Sequence, residues 1–237
     1  MSKKPQLSII IPAYNEEDFL PRCLESLTKQ KNAPVYEVII VDNNSSDATP
    51  RIAKRYETRL IFEPKAGVVF ARQAGLEAAL GNIIVSTDAD TYFTEDWLAN
   101  IGRFFDNNPD AAGLAGHYHF INGPIWTKIF PKLIAYCVYG IYRFFGKTVY
   151  VSAANLAFRK KYLNAYNTNH PQGGDETEVL REISKHGKVV VTLKNPVYTS
   201  ARRANQGFLH SLLVTIGYYY FFNLWHTKHI GLSLIHI

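Results

Sequence analysis

Cysteine and methionine are nearly absent, at two residues and one in a chain of 237. Cys23 and Cys137 cannot form a disulfide framework, and no Cys/His spacing matches a zinc site. A reducing compartment is the expectation. The N-terminus lacks a long hydrophobic run: apolar sequence starts only at Leu7 and Pro12 stops it, too short for the h-region of a secretory signal. Charged residues are sparse at 19% and lean basic, with a formal net charge of +6. The Lys and Arg are scattered, so no basic stripe interleaved with aromatics marks a nucleic-acid face. An anionic phosphate substrate or an anionic membrane surface accounts for the excess. A G-x-G-x-x-G turn is missing, which excludes a Rossmann dehydrogenase. There is no internal repeat and no low-complexity linker. What is present, 47% apolar and 14% aromatic residues, excludes disorder and suffices for one sizeable core.

Short apolar runs at 7–11 and 38–41 read as buried strands, and 59–62 and 83–87 as a third and fourth strand. Stretches with helical apolar spacing follow at 16–31, 47–56 and 67–80. This alternation predicts an α/β fold with an open, largely parallel sheet. The second half is less regular: helix 96–107, strand 111–120, a strand pair or bend over 149–158, helix 175–186 and strand 188–193.

In such sheets ligands sit outside the carboxyl ends of the strands. Those ends carry Pro12 to Glu16, Asp42 to Asp47 and Asp88 to Asp90, so polar, acid-rich loops converge on one rim. Asp88-Ala89-Asp90 is the sharpest feature. Two carboxylates at i and i+2 after a buried strand can share a divalent cation, Mg²⁺ or Mn²⁺, with phosphate oxygens. An isolated pair of this kind is more often a solvated turn; its place on the shared rim changes that balance.

Pro12-Ala13-Tyr14-Asn15-Glu16, then Val41-Asp42-Asn43-Asn44-Ser45-Ser46-Asp47, then the Asp88/Asp90 pair resemble, in order and spacing, the family 2 glycosyltransferases. The resemblance covers roughly residues 7–200. It implies a GT-A type open mixed sheet, mostly parallel in its N-terminal half and flanked by helices, over residues 1–204. By the same resemblance Pro12, Tyr14 and Glu16 hold the nucleoside of a sugar donor, and Asp42 hydrogen-bonds its base. Lys65, Gly67 and Arg72 line the nucleotide pocket, although the family's usual Asn before the Gly is missing here. Asp90 coordinates the ion, and Asp88 holds the ribose or a metal-bound water. Asn155 contacts the donor sugar or is a buried turn amide. Asp47 opens the following helix or serves as its N-cap.

Gly174-Asp175-Glu176-Thr177-Glu178 resembles the acid motif that opens the family's catalytic helix. Relatives mostly carry Asp where this chain has Glu176, so the base is Glu176 by register or Asp175 by residue type. Glu178 is explained by the helix dipole alone. Arg202-Arg203 matches a basic element that neutralises a diphosphate or an acceptor phosphate, or is a solvated pair.

The implied function is metal-dependent, inverting transfer of a sugar from a UDP- or GDP-sugar to a hydroxyl or lipid phosphate of a glycan or lipid-linked acceptor. A weakly catalytic nucleotide-sugar or carbohydrate-binding module of the same fold is the alternative. A nucleotidyltransferase would want a Gly-rich phosphate loop after the first strand, which this chain lacks.

Aromatic residues crowd into 125–146 and 207–225. Gly207 to Trp225 carries no formal charge, but His210, Ser211, Thr215 and Asn223 weaken it as a span. Tyr and Trp favour the headgroup region. The expectation is a peripheral enzyme at the inner face of the cell membrane, with 205–231 a membrane-associated helix; mutual packing of the two segments is the alternative. His226 and His229 read as interfacial side chains. Leu232 to Ile237 reads as a non-native tail, because LSLIHI back-translates to a transposon end used in sequencing libraries. That leaves open a continuation past Gly231.

Overall fold

A computed structural model describes residues 4–169 and 174–202. The expectations for Arg203, for Gly207 to Trp225, for His226 and His229, and for the tail lie outside those residues.

Eight strands form one sheet: β1 (Leu7–Ala13), β2 (Tyr36–Asp42), β3 (Arg59–Phe62), β4 (Ile83–Ser86), β5 (Thr91–Phe93), β6 (Ala111–Phe120), β7 (Leu156–Arg159) and β8 (Lys188–Thr199). Their order is β3-β2-β1-β4-β7-β6-β8-β5. The four N-terminal strands pair in parallel. β7 runs antiparallel between β4 and β6, and β8 lies parallel to β6. The helices are α1 (Leu20–Thr28), α2 (Thr49–Ala53), α3 (Val68–Ala78), α4 (Trp97–Asn107), α5 (Trp126–Phe145) and α6 (Asp175–Ile183).

Strand alternation sorts the apolar residues into two layers. Leu7, Ile9 and Ile11 of β1 join Val38, Ile40 and Val85 on one face, under Leu20, Leu24 and Leu27 of α1 and Trp97, Leu98, Ile101 and Phe105 of α4. Ile10, Ile39, Val41 and Ile84 face the other side, under Val69 and Leu76 of α3 and Val179, Leu180 and Ile183 of α6. Both faces are covered, which is why these strands read as continuous apolar runs.

The expected elements are present with shifted bounds. α1 starts four residues later than its apolar spacing suggests, because Glu16 to Phe19 forms a separate turn and Pro21 fits only the first turn. β5, three residues long, is too short to show a period. The segment before β7 is one strand entered through a 3-10 turn at Ala153–Asn155, not a pair. β8 continues past Leu193: its register against β6 jumps from Gly116↔Thr192 to Tyr118↔Val197, and Pro196 sits in the excluded bulge, where no ladder N–H is needed.

Gly75 permits α3 to lie close on the sheet. A Cβ there would stand 2.4 Å from Ile10 Cγ2, a stiff β-branched methyl in the core. Gly75→Ala gains about 1 kcal/mol of helix propensity but costs about 1–3 kcal/mol in overpacking. The expected outcome is a net loss of about 1 kcal/mol, read by thermal denaturation as a Tm roughly 2–4 °C lower.

Candidate active site

The carboxyl ends of β1, β2, β4 and β8 and the start of β7 share one rim, as the pairings require. The first two loops are laced together. Asn15 N–H donates to Ser45 Oγ at 3.0 Å, and Asn15 Oδ1 accepts from Ser46 N–H at 2.8 Å. Glu17 N–H donates to Asp47 Oδ2 at 3.0 Å, and Glu16 N–H donates to the buried Thr49 Oγ1 at 2.7 Å. Asn15 and Asn44 take left-handed backbone conformations, at φ 51° and 66°, which Asn tolerates better than most residues. Asn43 fastens a third loop: its Nδ2 donates to the carbonyls of Glu63 and Lys65, and its Oδ1 accepts from Gly67 N–H at 2.8 Å. Gly67, at φ 136°, opens α3.

Arg72 lies on the inward face of α3 with Val69 and Leu76, and its side chain is 5% exposed. Its Nη1 contacts both oxygens of Asp175, at 2.7 and 2.9 Å, and its Nη2 reaches Asp88 Oδ1 at 3.2 Å. Glu176 Oε1 stands 4.0 Å from the same Nη1, while Glu176 Oε2 and Arg72 Nε are buried without a hydrogen-bond partner. Burial disfavours the Arg72 charge, but Asp175, Glu176 and Asp88 outweigh it and hold the group protonated. Burial, reinforced by the neighbouring Asp175, pushes the Glu176 carboxyl up to about 7 against the pull of Arg72.

A second guanidinium closes the other side. Arg202 makes a two-pronged pair with Glu16, with Nη1 to Oε2 at 2.9 Å and Nη2 on Oε1. Its Nε lies 3.4 Å from Asp90 Oδ2, and Asp90 Oδ1 accepts from Thr199 Oγ1 at 3.0 Å. The buried Cys23 thiol nearby is pushed up by burial and then by Asp90, Asp88 and Glu16, so it stays protonated.

Asp88 and Asp90 are hard oxygen donors of the kind Mg²⁺ and Mn²⁺ prefer. Among the described residues no three His, Cys, Asp or Glu side chains gather around a common point. That chemistry fits an ion held by one or two carboxylates and completed by phosphate oxygens and water.

Most of the sequence-derived residues come together on this rim. Pro12 ends β1 half-buried, Tyr14 is exposed on the first loop, and Asp42 is buried with Oδ1 accepting from Ser45 N–H at 3.1 Å. One residue stands elsewhere than expected, and one of two readings is met for another. Arg72 faces the carboxylates of α6 and β4 rather than an open pocket. Asn155 spends its amide inside the fold: Oδ1 accepts from Trp97 Nε1, and Nδ2 donates to the carbonyls of His117 and Asn195. Of its two readings, the buried amide matches this geometry. Lys65 is exposed, with Nζ 5.5 Å from the Phe70 ring, and meets the site through its backbone. Asp47 caps the second loop's turn, accepting from Thr49 N–H at 2.9 Å. Sequence reasoning gave no role to Asn43 or Thr49, and read Arg202 as a phosphate-neutralising or solvated residue without foreseeing its pairing with Glu16 and Asp90. The available signal for Arg72 was a charge at i+3 between inward apolar residues, which demands a buried partner.

A sequence profile described as "Glycosyl transferase family 2" matches residues 8–166. The chain belongs to that family. It is 36% identical over 104 residues to glycosyltransferase AglE of Haloferax volcanii, a match covering 41% of this chain and 34% of that one. The chain spans about a third of the length of such curated relatives. Among solved structures, mannosyltransferase PcManGT from Pyrobaculum calidifontis, in complex with GDP-Man and Mn²⁺, superposes with TM-score 0.72 and 18% identity over 97% of this chain and 66% of that one. Staphylococcus aureus TarS 1-349 with UDP-GlcNAc gives TM-score 0.63 and 19% identity over 83% and 59%. The fold of this family 2 glycosyltransferase is therefore of the GT-A type.

Removing Arg72 would strand Asp175 as a buried, uncompensated charge. Arg72→Ala is expected to cost about 3–5 kcal/mol, seen as a lower urea midpoint. An unchanged midpoint would mean the pair is not buried in solution.

Proposed function

We propose that the chain transfers a sugar, with inversion, from a nucleoside-diphosphate sugar of the UDP or GDP kind to a hydroxyl of a glycan or lipid-linked acceptor. In this reading Glu176 is the general base and Asp175 its positioning partner. One observation carries it: Arg72 takes both oxygens of Asp175 and leaves Glu176 Oε2 buried, unpaired and protonating near neutrality. Glu176 Oε2 accepts the proton of the acceptor hydroxyl, that oxygen bonds to the anomeric carbon, and the nucleoside diphosphate departs with the bonding pair. A base with pKa near the working pH is well matched to that task. The family membership supports the reaction class, and the nucleotide sugars bound by PcManGT and TarS support the donor class.

Asp88 and Asp90 would hold a divalent ion, which when bound neutralises charge on the leaving diphosphate. Arg202 sits against Asp90 and within reach of that charge, so it either adds to the neutralisation or swings aside for the ion. Asp42, Tyr14, Glu16, Gly67 and the backbone of Lys65 frame the nucleoside side of the rim. The acceptor is placed at the inner face of the cell membrane, as the aromatic segments suggest.

Kinetics, thermal denaturation and calorimetry test this. Glu176→Gln should leave donor affinity within a few-fold while turnover falls by about 10²–10⁴. In the wild type, turnover should rise with pH through about 7, as the base ionises. The stability sign follows from the same shift. The folded value lies above the ordinary 4.5, so the fold favours the neutral acid and loses stability as pH rises through about 7. Glu176→Gln should therefore melt higher than wild type at pH 8 and converge with it at acid pH. Full turnover in the amide variant would place the base elsewhere. For the ion, calorimetry with Mn²⁺ should show nucleoside diphosphate binding largely lost in Asp90→Ala, and unchanged affinity would remove the metal assignment.

A further inference from the structure

Helix α5 packs its Thr127, Pro131 and Val138 inward and leaves a long face that no described residue covers. On that face Ile125 is 71% exposed, Ile129 61%, Leu133 59%, Tyr136 62% and Phe144 84%. At about 100° per residue these positions fall within one arc of roughly 100° along the helix. Lys128 and Lys132 line one edge of the arc, and Arg143 and Lys147 stand at its C-terminal end, all exposed. None of the four has an ion-pair partner among the described residues.

We infer that this face of α5 is a docking surface for an anionic phospholipid bilayer, with the helix lying in the interface plane. The charge pattern selects the occupant. No Asp or Glu occurs between Asp110 and Asp175, and none follows Glu182. Residues 207–225 could cover the apolar stripe but offer no carboxylate to Lys128, Lys132, Arg143 or Lys147. A second copy would bring the same cations face to face. Anionic headgroups satisfy both the stripe and its basic edge. The helix has 20 residues, yet among the described residues no helix is long and apolar enough to cross a membrane. Lying on the surface is the geometry left to it.

The inference rests on the proposed glycosyltransferase reading for its purpose, delivery of a membrane-borne acceptor, but the binding is measured without turnover. The test is flotation of the full chain with phosphatidylcholine vesicles, with and without about a third phosphatidylglycerol, at low salt. Binding is expected only with phosphatidylglycerol, and should fall roughly fivefold for each basic residue lost in Lys128→Gln and Lys132→Gln. Ile129→Glu with Leu133→Glu should abolish it while donor hydrolysis by the soluble protein is unchanged. Should that variant misfold, amide exchange of α5 in the wild type, slowed by anionic vesicles, gives the same answer. Vesicle binding by the wild type that the α5 variants leave intact would overturn the assignment. So would a wild-type dimer that the double variant dissociates, or a large fall in Tm in that variant without any vesicle binding. Loss of hydrolysis in Glu176→Gln with vesicle binding retained keeps the two readings separate.

Discussion

One guanidinium, buried in the second turn of α3, holds together parts of the chain more than a hundred residues apart. Arg72 spends Nη1 on Asp175 and Nη2 on Asp88, so the start of α6 and the end of β4 share a single cation. Three carboxylates and one arginine in a dry site carry an excess of negative charge. That excess keeps Arg72 charged and pushes the proton onto the carboxylate with the weakest claim on the arginine, Glu176. Which of the neighbouring acids holds a proton near neutrality thus follows from burial and geometry rather than from residue type.

The rim around that cluster is built by polar side chains used as structural ties. Asn15, Asn43, Asp47 and Thr49 bind backbone groups of neighbouring loops and leave few of their own atoms for a ligand. The loops are therefore positioned before anything binds, which lowers the ordering cost of holding a ligand. Arg202 does at long range what the asparagines do locally, bringing the end of β8 onto Glu16 and Asp90.

The N-terminal half was legible because β1, β2 and β4 are buried on both faces and its acids fall at strand ends, where periodicity and position agree. Asp88, Asp90 and Glu16 were found that way. Helical spacing gave α6 and the family resemblance marked its first acids, but what separates Asp175 from Glu176 is where Arg72 points, and no local pattern encodes a contact across 103 residues. Asn155 kept two readings because the same amide can face a sugar or a tryptophan, and its partners Trp97 and Asn195 lie far along the chain. β5 and the second half of β8 escaped for lack of length and because Pro196 interrupts the apolar pattern.

That interruption has its own consequence. Before the bulge, Val190 of β8 packs toward the layer that holds α1 and α4; after it, Val197 does. Leu114 and Tyr118, their partners on β6, keep a single parity across the same stretch. β8 therefore changes phase by one residue, and Thr199 turns to the side where Asp90 waits. An unbroken strand would present Tyr198 there and aim the threonine at the opposite layer. One strand is thus an inert core plank in its first half and a wall of the acid-lined rim in its second, and the out-of-step residues between them act as the gear that changes its facing.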